Sequence, residues 1–249
     1  MTWIPTKRKK IKHINTGQLG QLIIKEREDN GFQSITVFGK QGAGKTTYAL
    51  KVGARILMQL YPDLTEYDAW WQAYNLMVFS LDEAIEKLMG VVNAHEQGDI
   101  NHRLPFLIID DASIDLIKYA WREEQNIQFA KLNNLARTWS TALIFTTPWV
   151  DDLQKFLREK AWIVVQVQKY GTSKGKYPKS IAWIYKRTIK LVDGEFKGKY
   201  VEKYYDIFRR EMPNDLYEEY IKRRDKVMTK IANEVLTILR EKALKVQST

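Results

Sequence analysis

Residues Gly39, Lys40, Gln41, Gly42, Ala43, Gly44, Lys45 and Thr46 fit the pattern G-x-x-x-x-G-K-[ST], and Thr47 follows them. This pattern constrains the fold because it works only as a turn that leaves a buried strand and enters a helix. Glycines at 39, 42 and 44 let the backbone curl so that its N–H groups converge, and the positive end of the following helix adds to the field there. The flanks supply both neighbours. Residues 34–38 read as a buried strand, and residues 45–60 as a helix with Ala49, Val52 and Leu57 inward. Such a loop cradles the β-phosphate of a nucleotide, with Lys45 bridging the β- and γ-phosphates and the Thr46 hydroxyl ligating Mg²⁺.

The other apolar runs alternate with helical sequence. A short helix capped by Thr16 carries Leu19, Leu22 and Ile23 on one face and stops at Asn30-Gly31. The spacing then predicts a helix over 66–74, a short strand over 76–79, and a helix from Leu81 toward His95 opened by the capping box from Ser80 to Glu83. A strand over 106–110 ends in Asp110 and Asp111, helical sequence covers 114–138, and a strand over 141–146 ends in hydroxyls. A helix over 151–160 and a fifth strand over 161–169 follow. Near-continuous apolar strands interleaved with helices imply a parallel sheet covered on both faces. Beyond it, residues 181–191 and 196–208 alternate apolar and polar around Asp193-Gly194, a hairpin signal. After Met212-Pro213, a last helix carries Tyr217, Tyr220, Ile221, Met228, Ile231, Val235 and Ile238 at helical spacing, suited to docking on the domain or to pairing with another subunit. We expect a basic arm over 1–15, a core over 16–170, a basic β extension of that core over 171–213 and a C-terminal helix over 214–249.

Asp110, at the end of a buried strand, stands where a carboxylate holds Mg²⁺ through water. Asp111 falls where many ATPases keep an acid that orients the attacking water; the alternative role is a cap for the next segment. Thr146 and Thr147 are candidates for sensing the γ-phosphate, or they only terminate their strand. Arg158 is the candidate for an arginine that completes a neighbouring subunit's site, with Arg137 second; a cation at a helix C-terminus is the other role for Arg158. No Asp-x-x-Gly follows the acidic strand and no Asn-Lys-x-Asp occurs, which argues against a signalling GTPase. With no Cys, and three His without ligand spacing, neither a disulfide framework nor a thiolate or histidine metal site is expected. No apolar run approaches the ~20 residues that span a bilayer, and the first residues lack a signal-peptide core, so no membrane partner is expected.

Taken in order, the segments 39–52, 109–112, 144–148 and 158–162 resemble the DnaA-like ATPase of the spindle-shaped viruses (fuselloviruses) of Sulfolobus. They are similar more widely to the additional-strand, catalytic-acid division of P-loop ATPases, the AAA+ and RecA-like proteins. The resemblance implies an α/β fold with a RecA-like P-loop core. It further implies an ATPase of viral or plasmid origin in the host cytoplasm, using ATP and Mg²⁺, acting on DNA in replication or its control. A homo-oligomer, with other replication or packaging proteins as partners, is the implied assembly. Carried over by motif, Gly39 to Thr47 bind nucleotide, Thr46 and Asp110 hold the metal, and Lys45, Asp111, Thr146 or Thr147, and Arg158 act in catalysis. One departure stands out: an initiator of the DnaA type follows its fifth strand with a helical lid, and here β structure follows. That arrangement resembles the FtsK/HerA-type translocases and viral packaging ATPases. A small-molecule or nucleotide kinase and a nucleotide-switched adaptor are the remaining alternatives.

Charge separates the parts of the chain. The net charge is +10, yet residues 13–160 carry −4, whereas residues 1–12 carry +5 and residues 161–249 carry +9. Within 161–192, Lys169, Lys174, Lys176, Lys179, Lys186, Arg187 and Lys190 occur without an acid, and Tyr170 and Tyr177 lie among the lysines. Lys169, Tyr170, Lys174, Lys176, Tyr177 and Lys179 of this stretch, and the arm Lys7, Arg8, Lys9, Lys10 with Lys12, are the expected DNA contacts, led by backbone charge with little sequence preference. The plainer readings are a solvated basic hairpin and a solubilising tail.

Overall fold

The structure, a computed structural model, describes residues 17–112, 131, 133, 135–171 and 178–247. Helix α1 (Gln18–Glu28) leads into strand β1 (Gln33–Phe38), and the glycine loop turns β1 into helix α2 (Lys45–Leu60). Helix α3 (Glu66–Asn75), strand β2 (Met77–Val78), helix α4 (Leu81–Glu96) and strand β3 (Leu107–Ile109) come next. Residues 135–139 are helical and enter strand β4 (Ala142–Thr147). Helix α5 (Lys155–Lys160), strand β5 (Ile163–Tyr170) and the long strands β6 (Lys179–Val192) and β7 (Glu195–Arg209) complete the first unit. The chain from Met212 onward is a second compact unit, made of helix α6 (Asn214–Gln247).

All seven strands share one sheet in the order β2-β3-β4-β1-β5-β6-β7. The first five pair in parallel, with β1 at the centre of that set between β4 and β5. β4 therefore lies between the loop-bearing strand and the acid-bearing strand β3, the additional-strand arrangement of a RecA-like P-loop core. From β5 the sheet turns antiparallel, Tyr170 facing Lys179 across β5 and β6, and Lys179 facing Arg209 across β6 and β7. Asp193 and Gly194 both take positive φ, 54° and 77°, as a tight hairpin matched to strand twist requires.

Strand alternation divides the core between the two faces. Leu107, Ile109, Leu143 and Phe145 pack with Leu81, Ala84 and Leu88 of α4 on one side of the sheet. Ile108 and Ile144 point to the other side and are equally buried. The expected helix over 151–160 is broken: residues 150–152 form one 3-10 turn and α5 begins only at Lys155. Leu153 is the reason, since it turns extended to sit fully buried in that core cluster. Ser80 caps α4 as expected, accepting from the Glu83 amide at 3.2 Å, while Glu83 accepts from the Phe79 amide at 2.9 Å. The helical stretch expected over 114–138 lies largely outside the described residues, as does Thr16. No helix among the described residues is long and apolar enough to cross a membrane.

The N-terminus of α1 is capped from far along the chain. Asp206 of β7 is 1% exposed, and its Oδ1 accepts from the amides of Gly17 at 2.8 Å and Gln18 at 3.0 Å. Its Oδ2 accepts from the Tyr48 hydroxyl of α2 at 2.6 Å. One buried carboxylate thus joins the edge strand to two helices, and a charged acceptor suits the positive end of α1. Burial, and then the neighbouring carboxylate, raise the Tyr48 phenol well above its ordinary value of 10.0.

Replacing Asp206→Ala leaves three donors without an acceptor and should cost about 3 kcal/mol or more, against about 1–2 for Tyr48→Phe, in urea unfolding. Because the folded-state value of Tyr48 is raised, its contribution holds below pH 10.0 and is lost as pH climbs beyond it. Tyr48→Phe should accordingly flatten the alkaline limb of a stability–pH curve; an unchanged limb would contradict this.

Candidate nucleotide-binding site

The loop of residues 39–44 emerges at the carboxyl end of β1 with a backbone that only glycine takes easily. Gly39, Gly42 and Gly44 have φ of 154°, 71° and 93°. At Gly39 sterics add a second requirement: a Cβ there would lie 2.2 Å from the Val167 carbonyl oxygen of β5. Lys45 and Thr46 open α2, so the loop's amides meet a helix N-terminus. Lys45 is 8% exposed.

Asp110 follows β3 directly and is 1% exposed. Its Oδ1 accepts from Thr46 Oγ1 at 2.8 Å and from Thr146 Oγ1 at 2.6 Å. The Thr146 hydroxyl in turn accepts from the Asp111 amide at 2.9 Å. One hydroxyl therefore links both carboxylate-bearing residues to β4. Asp111 sits at φ 49°, a left-handed conformation unusual for a residue with a side chain. Thr147 faces away from this cluster and donates to the Trp149 carbonyl at 2.9 Å. The strand register explains the difference, since neighbouring residues of β4 point to opposite faces.

Thr46 and Asp110 present a hydroxyl and a carboxylate oxygen 2.8 Å apart, hard donors of the kind Mg²⁺ prefers. Mg²⁺ takes few protein ligands and fills its shell with phosphate oxygens and water, so a hydroxyl and a carboxylate are the number and kind of protein donor it uses. The described residues contain no group of three or more His, Cys, Asp or Glu that could hold a metal ion.

The arginine candidates lie elsewhere. Arg158 of α5 pairs with Asp151 in its own chain, Nη1 to Oδ1 2.9 Å. Arg137 donates from Nε to the Asn30 carbonyl at 2.9 Å, at the amino end of β1 and about 20 Å of strand from the loop. Of the expected DNA contacts, Lys169, Tyr170 and Lys179 stand exposed at the adjoining ends of β5 and β6. Arg187 is instead tied to α5, donating to the Glu159 carbonyl. Lys174, Lys176 and Tyr177, and Lys7, Arg8, Lys9, Lys10 and Lys12, lie outside the described residues.

Two contacts to the loop, and one wall of a cleft beside it, come from residues that motif reading did not single out. Ser180 Oγ of β6 donates to the Ala43 carbonyl at 2.7 Å. Arg210, just past β7, donates from Nη1 to the Gly42 carbonyl at 3.0 Å. Trp149 is 54% exposed and, with Lys40 and Lys169, lines a cleft of about 590 Å³ beside the loop. No motif signals any of them, because each reaches the loop only through the pairing of β4, β5, β6 and β7 around β1.

No protein-family model matches the chain. It is similar to the uncharacterized protein B-251 of Sulfolobus spindle-shape virus 1, with 34% identity over 223 residues covering 89% of this chain and 85% of that protein. Among solved structures it is similar to the genome packaging NTPase B204 of Sulfolobus turreted icosahedral virus 2 in complex with ATPγS, at 13% identity and a TM-score of 0.38, over 68% of this chain and 97% of that one. The N-terminal domain of zonular occludens toxin from Neisseria meningitidis is similar at 12% identity and a TM-score of 0.36, over 75% and 97% of the two chains.

A methyl group separates the two loop requirements. Gly42→Ala meets open space and should cost about 1–2 kcal/mol for the left-handed backbone alone. Gly39→Ala must also displace β5 and should cost clearly more; equal unfolding midpoints in urea would contradict the close approach of the two strands.

Proposed function

The chain belongs to the family of protein B-251 of Sulfolobus spindle-shape virus 1, and from that premise we propose that it is a virus- or plasmid-borne ATPase that couples Mg²⁺-dependent ATP hydrolysis to DNA. The observation that carries the reading is the buried Asp110 carboxylate accepting from both Thr46, beside the phosphate loop, and Thr146, beside Asp111. In this reading the loop amides and Lys45 bind the β- and γ-phosphates and hold them in line for attack. Thr46 and Asp110 would hold Mg²⁺, which when bound supplies charge neutralisation on the phosphate oxygens. Asp111 orients the attacking water, and the hydrogen bond that its backbone N–H donates to Thr146 Oγ1 fixes the backbone from which that carboxylate starts. Thr146 is the better sensor of the two threonines, because it lies on the Asp110 side of β4 and Thr147 faces away from it. DNA would lie along the exposed ends of β5 and β6 with Lys169, Tyr170 and Lys179, extended by the basic residues on either side of the core. Assembly into a homo-oligomer would let Arg158 leave Asp151 for a neighbouring site.

Within DNA transactions, the long antiparallel strands β6 and β7 favour translocation or genome packaging over DnaA-type replication initiation. They occupy the chain position where an initiator carries a helical lid. Directional movement on duplex DNA, read by displacement of a third strand, distinguishes the two readings.

Hydrolysis assays with and without single- and double-stranded DNA test the proposal. Lys45→Ala should weaken ATP binding by about tenfold to a hundredfold. Asp111→Asn should keep ATP binding and lower turnover by about a hundredfold or more, as loss of a general base does. Normal hydrolysis by Asp111→Asn would remove that residue from catalysis. DNA affinity should fall by about 0.9 log unit per log unit of salt for each phosphate neutralised on duplex; a salt-independent affinity would contradict a backbone-led interface.

A further inference from the structure

Arg210 closes the β extension onto the phosphate loop. Its amide donates to the Pro178 carbonyl at 2.8 Å, pinning together the ends of the extension where β6 begins and β7 stops. Its stem lies along Gly44, where a Cβ would come within 2.9 Å of Arg210 Cγ. Its guanidinium is hooked by Nη1 to the Gly42 carbonyl at 3.0 Å, and Nε is buried without a partner among the described residues. Beside the stem, the Phe208 ring comes within 3.4 Å of the same Gly44 position and packs on Tyr48, ring centroids 5.1 Å apart. A planar cation is therefore held rigidly at the loop with donor capacity left over.

The sheet order says which end of a nucleotide this cation meets. Asp110, Asp111 and Thr146 stand on the β3–β4 side of β1, and Arg210 arrives from the β7 side. A nucleotide seated in the loop directs its γ-phosphate toward the carboxylates and metal, so its nucleoside end leaves on the opposite flank. Loop amides that face the phosphates turn their carbonyls outward, so a group hooked to the Gly42 carbonyl borders the phosphate nest without entering it. We propose that Arg210 is the nucleoside-end contact of the site, its guanidinium forming a wall on which the base of the bound nucleotide stacks. This rests on the reading of the loop as an ATP site and adds to it a residue contributed in cis by the β extension. Guanidinium planes stack well on aromatic rings, and a guanidinium already fixed by a loop carbonyl gives up little freedom in doing so.

The test compares ligands with and without a nucleoside. Affinities for ATP, ADP and inorganic tripolyphosphate are measured by displacement of a fluorescent ATP analogue, in the full chain and in Arg210→Ala. The expected result is a loss for ATP and ADP about tenfold larger than any loss for tripolyphosphate, in line with the loss of one stacking partner. Equal losses for all three ligands would overturn the proposal, because Arg210 would then act only on loop shape or on phosphate charge. Unchanged ATP affinity would overturn it as well. Arg210→Met, which keeps an apolar stem over Gly44, is the second variant should Arg210→Ala fold poorly, and the same ratio decides. Wild-type chain that binds tripolyphosphate but gains nothing from the nucleoside would overturn the proposal and leave the phosphate site standing. Wild-type chain that binds none of the three would overturn the ATP reading and this proposal with it.

Discussion

A carboxylate that is almost wholly buried needs donors, and Asp110 obtains them from two elements that are not its own. Thr46 reaches it from the first turn of α2 and Thr146 from the last residues of β4. For both hydroxyls to arrive, β4 must lie beside β3, and the loop strand β1 must lie beside β4, which is the order the sheet has. The site is thus assembled by strand order. The same carboxylate is, with Thr46, the group proposed to hold a metal, so folding and the proposed chemistry make the same demand on one residue.

A second buried carboxylate organises the other half of the first unit. Asp206 brings the edge strand β7 onto α1 and α2, and it lies four residues before Arg210. The antiparallel extension is in this way built onto the back of the phosphate loop, with Ser180 and Arg210 each satisfying a loop carbonyl. Strands that carry the basic end of the chain are therefore in direct contact with the loop's own backbone. In the proposed reading the loop amides and Lys45 capture the phosphates, so the core needs no excess of bases, and its net charge of −4 over residues 13–160 fits that.

Periodicity made most elements of the first unit legible, because strands buried on both faces and helices with one apolar stripe leave distinct patterns. The loop and Asp110 were legible for a different reason: the spacing of glycine, lysine and a strand-ending acid reflects one fixed geometry. Thr146 and Thr147 were not separable in the sequence, since both are hydroxyls at a strand end and only the register decides which faces Asp110. The break at Leu153 was hidden too, because a leucine that leaves a helix to fill the core looks like one that stays. Asp206 reads as an ordinary strand residue and Ser180 and Arg210 as residues flanking the hairpin strands, and they meet α1, α2 and the loop only after two long strands fold back across the sheet.

The most direct test of the Thr46–Asp110 centre is electron paramagnetic resonance of Mn²⁺ used in place of Mg²⁺, titrated with the full chain and a non-hydrolysable ATP analogue. The account predicts one Mn²⁺ per chain, bound only when nucleotide is present and lost in Asp110→Asn. Mn²⁺ binding that is indifferent to nucleotide, or that survives in Asp110→Asn, would contradict it.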